Sequence, residues 1–195
     1  MRKQELIDLL RKRFSEKIVL AFEKIRREDF VSAEYRKLAY ENEPLPIGFE
    51  QTISQPYTIA FMLELLDLKD KMKILEVGSG SGYVLALINE ISKNSGIFGI
   101  ERIKKLCDNS RGFLKDYGNI EVIYGDGKEG LSKEAPFDRI LVSASSESFP
   151  EKLFEQLKEN GRIVCVVGNS IIVADKIKGK KKTKEHYGFS FVPLV

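Results

Sequence analysis

The chain has 195 residues, 43% of them hydrophobic and 31% charged, and carries a net charge of +3. That size suits one domain with a sizeable core, and so small a charge excludes a chain that is basic throughout. A single histidine rules out multi-histidine metal centres and leaves any Ser-His-Asp hydrolase dependent on His186 alone.

Cys107 and Cys165 stand far apart and form no CxxC pair, so neither a disulfide framework nor a zinc site is expected, and a reducing cytoplasm fits. The start, MRKQELIDLLRKRF, is charged and amphipathic, unlike a secretory signal. No apolar run approaches the roughly 18 residues that span a membrane.

In chain order, Leu6, Leu9, Leu10 and Phe14 fall at helical spacing over residues 2–14. Ser15 reads as the N-cap of a second helix that places Val19, Phe22 and Ile25 on one face. RREDFVSAEYRKLAYENEPLP is of mixed polarity and reads as irregular structure wrapping over the main body. Pro56 suits the first turn of a helix through YTIAFMLELLDL, capped by Ser54 or Gln55.

From Lys73 strands and helices alternate. KILEV, GIFGIE, NIEVIY, FDRILVSA and GRIVCVV are predicted strands. GYVLALINEIS, IKKLCDNSRGFLKDY and PEKLFEQLKEN are predicted helices. The rhythm predicts an α/β fold: a three-layer, doubly wound, mostly parallel sheet with a helical N-terminal cap. SIIVADKI and YGFSFVPL are expected as an antiparallel edge, joined by the basic turn KGKKKTKEH. The lysines of that turn are read as a solvated hairpin tip.

EVGSGSG follows the first of these strands and opens a helix, the context of a ligand-binding glycine turn. The third glycine comes one residue too early for the dinucleotide fingerprint, and Glu76 is a poor neighbour for a pyrophosphate but suits a cationic amino group. Glu101 ends the next strand, where a carboxylate accepts ribose hydroxyls. Asp126, in the Gly125-Asp126-Gly127 turn, suits an adenine amino group. Three acidic groups at successive strand ends fit an adenosine with an amino-acid tail and no phosphate, namely S-adenosyl-L-methionine, with S-adenosyl-L-homocysteine as product. The cofactor residues are then Glu76, Gly78, Ser79, Gly80, Glu101, Asp126 and Gly127. This is the pattern of class I, Rossmann-like methyltransferases.

Upstream, Pro46-Ile47-Gly48 followed by Gln51-Thr52-Ile53-Ser54-Gln55-Pro56 resembles the substrate-site signature of the protein-L-isoaspartate O-methyltransferase family. RREDFV, LEVGSGSGY, GDGKEG, PFDRILVSA, EQLKENGRIV and FVPL extend the resemblance over nearly the whole chain. It implies methyl transfer to the α-carboxylate of L-isoaspartyl residues in damaged proteins. The ester collapses to a succinimide that reopens as aspartate, which is repair. It also implies Ser54 as the catalytic or substrate-contacting residue, with Gln51, Thr52 and Ile53 beside it.

The residues agree with that chemistry. An α-carboxylate with a pKa of roughly 3.5 is already ionised at neutral pH and needs no general base. It needs alignment, which a Ser54 hydroxyl beside the first free amides of a helix is expected to provide without a lysine to blunt the nucleophile. Residues 1–54 are expected to be cap and substrate turn, and 55–195 the catalytic body of one structural domain. Isoaspartyl peptides and proteins are the expected partners, with no metal, membrane or nucleic acid, and the protein itself is expected to be a monomer. The polar run Ser143-Ala144-Ser145-Ser146-Glu147 and the short segment after Gly168 depart from the family pattern. The alternatives are a class I methyltransferase of RNA or a small molecule, and a cofactor-binding module without catalysis.

Overall fold

The computed structural model describes residues 1–189. Helices α1 (Lys3–Arg11) and α2 (Glu16–Lys24) lead into two 3-10 turns, Arg27–Phe30 and Ala33–Leu38, where irregular structure was expected. A small hairpin follows, β1 (Leu45–Gly48) and β2 (Gln51–Ile53), and then helix α3 (Pro56–Leu66). The alternating body is β3 (Lys73–Val77), α4 (Tyr83–Ile91), β4 (Gly96–Glu101), α5 (Lys104–Phe113), β5 (Ile120–Tyr124), β6 (Phe137–Ser146), α6 (Glu151–Glu155), β7 (Leu157–Val167), β8 (Ser170–Ile177) and β9 (Lys180–Tyr187).

Seven strands make the main sheet in the order β5-β4-β3-β6-β7-β8-β9. β5, β4, β3, β6 and β7 run parallel, and β8 and β9 return antiparallel at one edge. This is the expected α/β, Rossmann-like architecture. The chain winds outward from β3 to β5 and then crosses to β6 on the other side of β3. Ligand crevices in open α/β sheets form at such a switch point, outside the carboxyl ends of the strands.

Strand alternation sends side chains to two cores. Ile74, Leu141, Val164 and Val166 join the cluster under α1 to α4, whereas Leu75, Val77, Ile140, Val142 and Cys165 join the one under α6. α3 is apolar on nearly every side because it lies between α2 and the sheet, burying Ile59, Ala60, Met62, Leu63 and Leu66. Its C-terminal carbonyls are held by two arginines of the sheet. Arg139 Nε donates to the Leu66 carbonyl at 2.7 Å, and Arg162 Nη1 to that of Leu65 at 2.8 Å. Cations there complement the helix dipole, and they fix where the other end of α3, next to Ser54, must lie.

The helix N-caps fall at expected positions. Ser15 does sit at the N-cap of α2, but its amide and hydroxyl both donate to the Glu64 carboxylate of α3, at 3.0 and 2.7 Å. Gln55, not Ser54, is the N-cap of α3, and Pro56 takes the first helical position.

Two expectations are corrected. The predicted helix over PEKLFEQLKEN ends at Glu155, because Leu157 already pairs with Phe137 of β6 and Asn160 turns through a positive φ of 63°. Sheet pairing overrides helix propensity there. The lysine run is not a hairpin tip. The turn is only Lys178-Gly179, and Lys180–Tyr187 is the edge strand itself, paired with β8 along its length. Its exposed lysines obscure the alternation of a strand, but main-chain bonds hold it, and lysines suit an edge that must not recruit another strand. YGFSFVPL, expected as the second strand, lies largely outside the described residues.

Gly82, at the N-cap of α4, has a φ of 86°, and a Cβ there would come within 2.8 Å of Leu114 Cδ1 and 3.2 Å of Ser110 Cβ. Gly82→Ala is expected to lower stability by about 2 kcal/mol through strain and overpacking. Urea unfolding checks this; an unchanged midpoint contradicts it.

Candidate active site

Gly78, Ser79, Gly80, Ser81 and Gly82 carry the chain from β3 into α4. The amides of Gly78 and Ser79 both donate to the Ile100 carbonyl, at 2.9 and 3.1 Å, which stitches the loop to the end of β4. Glu101 finishes the stitching: Oε2 accepts from the Gly80 amide at 2.9 Å and Oε1 from the Ile103 amide at 2.8 Å. Each carboxylate oxygen keeps acceptor capacity beyond these bonds.

The β1–β2 hairpin lies over this loop. Leu45 pairs with Ile53 and Pro46 with Thr52, but Gly48 pairs with Gln51, so Ile47 is an extra, bulged residue. Bulges re-aim side chains, and Ile47 reaches the glycine loop: a Cβ at Gly80, where φ is 52°, would stand 3.2 Å from Ile47 Cδ1. The hairpin tip is Phe49-Glu50, with φ of 54° and 58°, and Phe49 is 54% exposed. Positive φ at both central residues gives the twist of a tight hairpin turn.

Between hairpin and loop is a pocket enclosing about 480 Å³ and open to solvent. Thr52, Ile53 and Ser54 line it from the hairpin side, and Glu76, Gly78, Ser79 and Gly80 from the loop side. Seven of the residues singled out in the sequence therefore meet in one place. The others do not line it. Gln51 turns its amide to the Phe49 carbonyl at 3.2 Å. Glu101 stands behind the loop. Asp126 is exposed at the end of β5, where Oδ1 accepts from the Lys128 amide at 2.9 Å, and Gly127 is buried beside it. The Gly125 amide donates to the Glu101 carbonyl at 3.1 Å, so these residues continue along the same carboxyl edge of the sheet.

Glu76 is the electrostatic centre of the pocket. It is 0% exposed; Oε1 accepts from the Ser143 hydroxyl at 2.7 Å, and Oε2 has no partner among the described residues. Burial pushes its pKa up to about 8, the Ser143 hydrogen bond opposes that rise, and the Glu101 charge adds to it. The Ser79 hydroxyl is also buried without a partner. Two orphaned acceptors on one wall are a fitting seat for a cationic, hydrogen-bonding ligand.

The expected carboxylate cradle at the start of α3 is revised. Pro56 has no amide hydrogen, and the Tyr57 amide is taken by Asn42 Oδ1 at 3.0 Å. The first amide hydrogen of α3 is thus not free beside Ser54, which itself lines the pocket.

Three residues had no assigned role in the sequence reading: Ser143, Asn42 and Arg27. Ser143 lies near the end of the predicted strand FDRILVSA, beside the glycine turn, a position that is itself a usable signal. Asn42 and Arg27 act through irregular backbone, which no periodicity reveals. His186 lies on β9 with its ring against Phe61, centroids 5.2 Å apart, and does not line the pocket. The exposed lysines of β9 are separated from β3 by β6, β7 and β8. Among the described residues there is no group of three or more His, Cys, Asp or Glu able to hold a metal ion, and no helix long and apolar enough to cross a membrane.

Over residues 1–195 the chain matches the family described as protein-L-isoaspartate(D-aspartate) O-methyltransferase. The chain belongs to this family. A protein-L-isoaspartate O-methyltransferase of Methanothrix thermoacetophila is 44% identical over 201 residues, covering 100% of this chain and 95% of that protein. Protein-L-isoaspartate O-methyltransferase 2 of Archaeoglobus fulgidus is 43% identical, covering 99% and 92%. A solved protein-L-isoaspartate O-methyltransferase superposes with a TM-score of 0.90 at 26% identity, over 98% of this chain and 65% of that chain's length. A putative family member from Plasmodium falciparum, solved with S-adenosyl-L-homocysteine, shares the fold with a TM-score of 0.84 at 24% identity, covering 100% and 99%.

The Glu76 environment makes a pH prediction for the protein without ligand. A carboxyl whose folded pKa is raised stabilises the fold fully below the unfolded value of about 4.5, and that contribution is lost as pH rises towards about 8. Glu76→Gln removes this loss, so its stability relative to the wild type should improve steadily across that window. Parallel unfolding free energies against pH for the two proteins contradict the assignment.

Proposed function

We propose that the pocket between hairpin and glycine loop is where this family member transfers a methyl group from S-adenosylmethionine to the α-carboxylate of an L-isoaspartyl residue. The observation that carries the reading is the meeting of Ser54 and Glu76 on opposite walls of one pocket. In this reading residues 1–54 supply the cap and the acceptor turn, and 55–195 the cofactor-binding body. A monomer suffices, since one chain contributes both walls.

S-adenosylmethionine, when bound, supplies an electrophilic methyl on a sulfonium and leaves as S-adenosylhomocysteine. Glu76 holds the ammonium of its amino-acid tail, which replaces the missing partner of Oε2 and favours the ionised carboxylate. The Ser79 hydroxyl and the glycine backbone, free of side chains at Gly78 and Gly80, seat the same tail. Glu101 accepts from the ribose hydroxyls while bracing the loop, and Asp126 and Gly127 meet the adenine farther along the strand ends.

Ser54 donates its hydroxyl to one oxygen of the acceptor carboxylate, and Gln51, Thr52 and Ile53 present the peptide around it. The other oxygen is left free as the nucleophile, and since the donor would supply the methyl carbon and keep the C–S electron pair, no proton need move. That suits a pocket whose lining contains no histidine, lysine or arginine. A neutral donor orients the anion without strongly reducing its nucleophilicity. Once released, the ester closes to a succinimide as the amide nitrogen of the following residue attacks the ester carbonyl and methanol leaves, and water reopens the ring to aspartate or isoaspartate.

Tritiated methyl transfer to an isoaspartyl peptide, to its aspartyl twin and to RNA tests the reading. Base-labile label on the isoaspartyl peptide alone is expected; label on RNA, or on both peptides equally, contradicts it. In the same assay Ser54→Ala should lower kcat/KM about 10- to 100-fold while S-adenosylhomocysteine affinity by calorimetry changes less than about 2-fold. Undiminished turnover would remove Ser54 from the mechanism.

A further inference from the structure

Arg27 opens the 3-10 turn after α2 and is 0% exposed. No carboxylate pairs with it among the described ion pairs. Its guanidinium instead meets four backbone carbonyls: Nη1 donates to Ala39 at 2.8 Å and Glu41 at 3.2 Å, and Nη2 to Glu43 at 3.2 Å and Ser54 at 3.1 Å. Nε has no partner. Burial lowers its pKa to about 10, with Tyr83 and Glu43 opposing the shift.

A buried cation without a counter-ion is an expensive way to stabilise a fold, and an apolar side chain of similar volume often serves as well. What an apolar side chain cannot do is gather carbonyls. Residues 39–43 form an irregular strap whose carbonyls lack strand or helix partners, and buried carbonyls need donors. The planar fork of arginine spreads its donors over several acceptors, where a lysine offers one compact group.

The four carbonyls are not scattered. Glu43 precedes the β1–β2 hairpin and Ser54 follows it, so the guanidinium closes the hairpin at its base. The Ser54 backbone is then fixed from two sides, by Ile53 paired with Leu45 and by its own carbonyl on Arg27, and Pro56 starts α3 two residues further on. Asn42 lies between the clasped carbonyls of Glu41 and Glu43 and caps the Tyr57 amide, which carries the same constraint into α3. Arg27 itself does not line the pocket. The glycine loop is held separately, by Glu101 and the Ile100 carbonyl.

We propose that Arg27 is a positioning residue for the acceptor half of the site, clasping the hairpin base so that the Ser54 hydroxyl faces the methyl donor. The inference rests on the reading that Ser54 holds the acceptor carboxylate. Because the glycine loop also has clasps of its own, loss of this one should act chiefly on the acceptor side.

The test is Arg27→Lys and Arg27→Met, assayed as full-length protein. Both should keep S-adenosylhomocysteine affinity within about 2-fold while kcat/KM for an isoaspartyl peptide falls about 10- to 100-fold, the size of effect that small misplacement produces. Asn42→Ala should move the same way by a smaller factor. Wild-type kcat/KM in both Arg27 variants overturns the proposal, as does an equal fall in cofactor affinity and kcat/KM, which marks general loosening. Should neither variant fold, arginine-labelled wild-type protein decides by NMR. With S-adenosylhomocysteine bound, the Arg27 side-chain resonances should shift as isoaspartyl peptide saturates the site, and unmoved resonances at saturation overturn the proposal. Wild-type protein that methylates no isoaspartyl peptide fails the functional reading instead, a result separate from any variant.

Discussion

A bulged hairpin resting on a glycine turn is the contact on which the site depends. Ile47 packs closely on the loop where Gly80 carries no side chain, and the bulge that aims Ile47 there leaves Ser54 beside the same pocket. One turn comes from β3 at the switch point of the sheet, the other from an irregular cap nearly thirty residues earlier. Their approach makes a two-walled pocket from segments that are each only surface turns.

The two walls carry opposite electrostatic logic. On the loop side a carboxyl is buried with one oxygen unpartnered and held partly neutral by burial, so a cation entering the pocket gains a strong partner. On the hairpin side the buried cation Arg27 does not line the pocket and is absorbed by backbone carbonyls. In the proposed reading the acceptor therefore meets a hydroxyl and not a charge. An anion that is already ionised needs orientation more than activation, and a neutral wall provides that without drawing electron density from the attacking oxygen.

Much of the fold was legible in the sequence because it is written in local patterns. Lys73–Val77, Gly96–Glu101 and Ile120–Tyr124 are short apolar runs bounded by turns, and each emerges as a parallel strand. The glycine turn and the acidic strand ends were legible for the same reason. What was missed depends on partners distant in sequence. Leu157 leaves its helix because Phe137 is waiting, and the lysine strand is fixed by β8 and not by its own alternation. Asn42, unlike Ser54, takes the first available amide of α3, a bond across an irregular strap that no spacing predicts. Arg27 lay inside a quoted motif, yet its role needs four carbonyls spread from Ala39 to Ser54 to be seen together.

The central claim is geometric, and a crystal structure of the protein with S-adenosylhomocysteine and an isoaspartyl peptide addresses it most directly. The account predicts the ammonium of the cofactor on Glu76, the peptide α-carboxylate within hydrogen-bond reach of Ser54 Oγ, and an open line from that carboxylate to the cofactor sulfur. A peptide seated away from the hairpin, or a sulfur separated from Ser54 by protein, would contradict it.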